Sequence, residues 1–129
     1  KLLRREADNP VVEVLALKEI ASVYFNQGNF KRAAEAGEEA LALARKNQFR
    51  DDELDILNSL ANTYILNKKP ARARDLAQEA VNLARELNKR QYEAQALDSL
   101  GKAYISLKDY QKSETVLLQA LSIAKEIED

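Results

Sequence analysis

Neither cysteine nor histidine occurs among the 129 residues of the chain. Without thiol or imidazole groups there are no disulfides, no thiolate nucleophiles, no zinc sites with sulfur or nitrogen ligands, and no catalysis based on histidine. No apolar run approaches the ~20 residues that span a bilayer, and none resembles a signal peptide. We therefore expect a soluble, cytoplasmic protein that has no cofactor and does not bind membranes.

Glycine and proline are scarce as well, with three and two residues, whereas 46% of the residues are hydrophobic. Strong helix formers dominate the composition, which predicts an all-α fold with enough apolar side chains for a core. Charges nearly cancel, because 20 Lys and Arg oppose 21 Asp and Glu and leave a net charge of −1. We therefore expect no general attraction to nucleic acid.

A 40-residue repeat organises the chain. Tyr24, Tyr64 and Tyr104 stand 40 residues apart, and self-similarity at such a period is typical of stacked repeat proteins. Further positions keep the same period, namely Leu17, Leu57 and Leu97; Ile20, Leu60 and Leu100; Ala40, Ala80 and Ala120; Ala44, Ala84 and Ala124.

Each repeat contains two amphipathic helices. Leu57, Leu60, Ala61 and Tyr64 follow the i, i+3, i+4, i+7 spacing of one helix face, and a second stripe runs over residues 73–87. These stripes predict helices at 11–27, 30–46, 51–67, 70–87, 91–107 and 110–127.

Local signals support these boundaries. Asn29 and Asp109 are predicted N-caps, and Pro70 takes the first position of its helix. Asn47 and Asn88 are expected to adopt left-handed backbone conformations at helix ends.

A small residue three positions before each repeated tyrosine resembles the tetratricopeptide repeat family. The pairs are Ala21 and Tyr24, Ala61 and Tyr64, and Gly101 and Tyr104. The common form of this family has 34 residues per repeat, so the chain resembles a long form with about 40. The resemblance implies an α-solenoid of three stacked antiparallel helix hairpins, wound into a right-handed superhelix and forming a single domain over 1–129.

The period divides this domain into repeats at 10–50, 51–90 and 91–129. Subtracting 40 from Leu43 and Arg45 gives Leu3 and Arg5. Residues 1–9 are therefore interpreted as the tail of a preceding repeat helix, which predicts that the chain is a piece of a longer solenoid.

In this family the first helices of the repeats line a concave groove, and the resemblance implies that a protein or peptide ligand binds there. The groove positions of this sequence are Lys18, Ser22, Asn26, Asp55, Asn58, Asn62, Leu66, Gln95, Asp98 and Lys102. Phe25, Ile65 and Ile105 recur every 40 residues and either form an apolar floor or complete the packing of the hairpins.

Asn58 and Asn62 are the most informative groove residues, because asparagine inside a helix costs about 0.6 kcal/mol relative to alanine. A compensating role is expected, and a carboxamide can both donate to and accept from an extended peptide backbone. Alternatively, both side chains face water or bond neighbouring helices.

Lys18 and Lys102 raise a further alternative, since one branch of the family clamps a carboxylate with lysine and amide side chains. The match is partial, because Ser22 replaces an amide and Asp98 is placed to pair with Lys102. The basic cluster Lys68, Lys69, Arg72 and Arg74 is interpreted as a solvated turn.

A protein- or peptide-binding scaffold is therefore the predicted function. The alternative is self-association through the solenoid ends, or signal relay within a larger bacterial sensor or transcriptional regulator. Catalysis is not expected, because pairs such as Asp51 and Asp52 are adjacent on a helix and point apart.

Overall fold

The computed structural model describes residues 9–128 and contains no strand within them. The helices of this part are α1 (Pro10–Asn26), α2 (Phe30–Lys46), α3 (Arg50–Leu66), α4 (Pro70–Glu86), α5 (Arg90–Ser106) and α6 (Tyr110–Glu128). The predicted all-α helical-repeat fold is thus confirmed, with every boundary within one residue of its expected place. Leu3 and Arg5, the predicted remnants of an earlier repeat, lie outside the described residues.

Two compact units divide the chain, with the boundary inside α3 between Ile56 and Leu57. In the first unit α1 packs on α2, and Val14 and Leu41 are at most 2% exposed. In the second unit α5 packs on both α4 and α6, around fully buried side chains such as Leu97. The prediction of one domain, with repeats at 10–50, 51–90 and 91–129, stays a prediction.

Side-chain caps fix the starts of several helices. The Oδ1 atom of Asn9 accepts a hydrogen bond from the backbone nitrogen of Val11 at 3.1 Å. Asn29 and Asp109 accept in the same way from the backbone nitrogens two helical positions on, at 3.2 and 3.3 Å. Both predicted N-caps are therefore confirmed, and Pro70 is the first residue of α4, where its missing N–H is not needed.

Each helix from α1 to α5 is followed by one residue with a left-handed backbone. These residues stand 20 positions apart, at Gly28, Gln48, Lys68, Asn88 and Lys108, with φ between 56° and 78°. The prediction is confirmed for Asn88 and wrong for Asn47, whose φ is −98°. Asn47 instead donates its Nδ2 to the carbonyl of Leu43 at 2.9 Å. The left-handed position therefore falls one residue later.

Lys68→Gly is expected to raise the free energy of unfolding by about 0.5–1 kcal/mol. A lysine at a φ of 60° bears the steric cost of its Cβ, and glycine does not. Urea denaturation measures the change. Lys69→Gly is the matched control, since its φ of −124° suits any residue and glycine there adds only unfolded-state entropy. Equal destabilisation by both substitutions would contradict the prediction.

α5 and α6 approach each other closely at Gly101. The Oγ of Ser113 donates to the Gly101 carbonyl at 2.8 Å. A Cβ built on Gly101 would lie 2.5 Å from Cδ2 of Leu117. The large leucine on α6 is thus accommodated only because α5 has no side chain at that point.

Candidate functional site

Two side-chain hydrogen bonds join α3 and α5 inside the second unit. The Oγ of Ser99 donates to Oδ1 of Asn62 at 2.9 Å. The Nδ2 of Asn58 donates to the carbonyl of Tyr92 at 3.5 Å. These interhelical bonds offset part of the cost of asparagine inside a helix. They hold the two helices side by side and orient the polar residues between them.

The two asparagines differ sharply in their exposure. Asn58 is only 7% exposed, and its buried Oδ1 accepts no hydrogen bond from residues 9–128. Asn62 is exposed, and its Oδ1 is fixed by Ser99, which leaves the Nδ2 hydrogens directed away from that bond. Asn62 can therefore meet a ligand directly, whereas Asn58 supports the surface from beneath.

One face of the second unit collects most of the predicted groove residues of repeats two and three. We call it the α3–α5 face and define it by Asn62, Leu66, Gln95, Asp98 and Lys102. Leu66 is 47% exposed, and the Nζ of Lys102 lies 3.1 Å from Oδ2 of Asp98, as its i, i+4 spacing predicted. The face thus offers amides, one ion pair and an apolar side chain.

The predicted groove residues of the first unit lie around a different ion pair. The Nζ of Lys18 lies 2.7 Å from Oδ2 of Asp55 and 3.2 Å from Oδ1 of Asp52. Ser22 and Asn26 are exposed on α1. Lys18 is therefore held by two carboxylates, and a ligand would have to compete with both of them.

The pKa of Lys18 reflects the same contacts. Burial lowers this pKa, but hydrogen bonds and charge attraction from Asp55 and Asp52 outweigh burial and raise it above the ordinary value of 10.5. Because the folded-state pKa is raised, the stabilisation is fully present below about pH 10.5 and is lost as the pH rises through the folded-state pKa. The ion pair is therefore insensitive to pH near neutrality.

The three residues considered for an apolar floor have different surroundings. Phe25 is half-buried, and its ring centroid lies 5.4 Å from that of Phe30 in an edge-to-face arrangement. Ile65 is half-buried, whereas Ile105 is 47% exposed. Phe25 therefore contributes to packing within its hairpin, and Ile105 is the one member of this trio that a ligand can readily touch.

Cations stacked on the repeated tyrosines were missed from the sequence. Arg32, Arg72 and Lys112 lie 5.9–6.0 Å from the ring centroids of Tyr24, Tyr64 and Tyr104. The signal was available, because each cation follows its tyrosine by eight residues in all three repeats. Arg72 thus packs on a ring, and in the same cluster Arg74 pairs with Asp75 at 3.1 Å.

The chemistry of these side chains suits recognition. Within residues 9–128, no cluster of three or more acidic, histidine or cysteine side chains is arranged to hold a metal ion. The same stretch contains no helix with the length and apolar character needed to cross a membrane. Amides, a surface ion pair and exposed leucine can form hydrogen bonds and apolar contacts with another chain.

Comparison with known families places the whole described stretch in one group. The model of the tetratricopeptide repeat matches residues 12–86 and again residues 52–126. A comparison with curated proteins finds no match.

Solved structures with the same fold come from distant sequences. The tetratricopeptide repeat domain of Arabidopsis FLU superimposes with a TM-score of 0.86 at 13% identity, over 92% of this chain and 99% of that domain. The apo form of RapI gives 0.86 at 18% identity, over 97% of this chain and 35% of RapI. The N-terminal domain of stress-induced protein-1 from C. elegans gives 0.75 at 20% identity, covering 94% and 96%. At these identities the likeness shows the fold alone.

Proposed function

Because the chain belongs to the tetratricopeptide repeat family, we propose that it is a peptide-binding scaffold that uses the α3–α5 face. Repeats of this family are protein-interaction scaffolds, and their fold is not a catalytic one. The observation that carries the proposal is the exposed amide of Asn62, fixed by Ser99 on a surface shared by two helices.

A fixed amide suits an extended peptide. Since Oδ1 of Asn62 already accepts from Ser99, its Nδ2 is the group that donates to a backbone carbonyl of the ligand. Leu66, 47% exposed one turn further along α3, provides an apolar contact for a ligand side chain. Preorganisation by Ser99 reduces the entropy lost when the ligand binds.

The ion pairs favour an internal peptide segment over a terminal carboxylate. Lys102 is paired with Asp98, and Lys18 is paired with Asp52 and Asp55. A ligand carboxylate would displace these pairs and meet three negative charges. At the same repeat positions of the first unit, Ser22 and Asn26 are proposed as additional ligand contacts.

Peptide selection tests the proposal. The 129-residue chain is screened against a displayed library of random peptides, and the dissociation constants of selected peptides are measured by calorimetry. Asn62→Ala is expected to weaken binding by about threefold to tenfold, the loss of one hydrogen bond. Leu66→Ala is expected to weaken it comparably, without disturbing the bond to Ser99.

Gln78→Ala is the matched control, because Gln78 is an exposed amide on α4 that bonds only its neighbour Asn82. Urea denaturation of every variant separates lost binding from lost folding. Failure to select any peptide, or equal affinities for all three variants, would rule out the α3–α5 face as the binding surface.

Self-association is a second candidate function, alone or as part of signal relay in a larger regulator. A specific observation favours it, since α1 and α6 carry exposed apolar side chains such as Val23, Leu118 and Leu121 at 50–59%. Exposed apolar clusters of this kind mark interaction surfaces.

A further inference from the structure

α1 exposes apolar side chains at repeat positions that are buried in α5. Ile20 is 44% exposed and Val23 is 55% exposed, whereas Leu100 and Ala103, 40 and 80 residues further in the repeat pattern, are at most 1% exposed. In α5 these positions lie in a helix that packs against α4, the second helix of the preceding hairpin. α1 therefore presents a surface built to receive a helix like α4.

α6 presents the complementary surface. Leu121 is 50% exposed and Ala124 is exposed, whereas Val81 and Ala84, 40 residues earlier on α4, are at most 1% exposed. Both surfaces retain the apolar character of the buried positions. α6 therefore has the character of a helix that packs against the first helix of a following hairpin.

Charges at the same junctions are also repeated. The Nε of Arg85, near the end of α4, lies 2.8 Å from Oε2 of Glu93 at the start of α5. Arg45 and Glu53 form the equivalent pair at 3.1 Å. Continuing the period forward from Arg85 gives Lys125 on α6, and continuing it back from Glu53 gives Glu13 on α1. The two surfaces thus have complementary charges at corresponding places.

We infer that a second copy of this chain covers these surfaces, with α6 of one copy packed on α1 of the next. The contact reproduces the packing of α4 on α5 and sets Lys125 opposite Glu13. This inference rests on the second candidate function and is independent of the α3–α5 face. Because the two surfaces differ, the contact is head-to-tail, so assemblies grow beyond dimers as the concentration rises.

Complementation of blocked variants tests the inference. Val23→Glu blocks α1 and Leu121→Glu blocks α6, and both positions are exposed, so folding is preserved. Sedimentation velocity is expected to show growing mass for the wild-type 129-residue chain and association weakened roughly 100-fold for each variant alone. An equimolar mixture of the two variants is expected to form a complex of one chain of each, and nothing larger.

Ala42→Glu is the control, because it adds the same charge at an exposed position of α2 and is expected to leave assembly unchanged. Lys125→Glu tests the charge pairing and is expected to weaken assembly about threefold to tenfold. A wild-type chain that stays monomeric at every concentration overturns both self-association and this interface. Blocked variants that each still associate alone retain self-association and overturn the head-to-tail contact, as an α1-to-α1 dimer would.

Discussion

Replacing Gly101 by alanine is expected to lower the free energy of unfolding by about 2 kcal/mol. The added Cβ would lie 2.5 Å from Cδ2 and 2.6 Å from Cγ of Leu117, well inside normal van der Waals contact. Because Cγ is the branch point of the leucine, rotation of the side-chain tip does not relieve the clash. Alanine gains about 1 kcal/mol of helix propensity, which offsets only part of an overpacking cost of about 3 kcal/mol.

A double-mutant cycle with Leu117→Ala separates the clash from other effects. Repeat two has Ala61 and Ala77 at the corresponding positions, so an alanine pair fits this repeat geometry. Gly101→Ala combined with Leu117→Ala is therefore expected to be less destabilised than the sum of the two single variants. Urea denaturation measures all four proteins. Additive losses would show that the short distance to Leu117 is not the cause.

The fold was largely predictable because its signals are local. The periodic apolar stripes, the N-caps Asn29 and Asp109, and the first-position Pro70 all act within a few residues of where they stand. The left-handed turn residue was predicted less well. Both Asn47 and Gln48 follow α2, and the choice between them depends on the bond from Asn47 to the Leu43 carbonyl, which composition alone does not indicate.

The candidate site was predictable only where its contacts are local. Asp98 and Lys102 lie one turn apart, so their ion pair followed from the spacing. Lys18 and Asp55 are separated by 37 residues, and nothing local indicates that they meet. The burial of Asn58 likewise depends on the position of α5, so the sequence could not distinguish it from exposed Asn62.

The charged residues of this chain serve distinct purposes, and their burial separates them. The Asp98 and Lys102 side chains are about half exposed, so a partner can compete for them at little cost. The Glu93 side chain is 5% exposed and contacts two arginines. Exposed pairs therefore belong to the proposed recognition surface, and the buried carboxylate belongs to the junction between α4 and α5.

Removing both arginines from this junction is expected to cause the largest loss of stability in the chain. Arg85 donates to Oε2 of Glu93 at 2.8 Å, and Arg90 donates to Oε1 at 2.9 Å. With Arg85→Ala and Arg90→Ala together, the carboxylate of Glu93 stays buried without a partner. An unpaired buried charge costs roughly 3 kcal/mol or more, and urea denaturation measures this loss.

Adding Glu93→Gln to that double variant is expected to restore part of the stability, because a neutral amide is less costly to bury than a carboxylate. By itself, Glu93→Gln is expected to be milder than the double arginine variant, since the half-exposed arginines regain contact with water. Arg74→Ala is the surface control, and it removes a pair whose partner Asp75 is 58% exposed, so a change below about 0.5 kcal/mol is expected. If the third substitution restored nothing, lost packing of the arginine side chains, and not the buried charge, would account for the destabilisation.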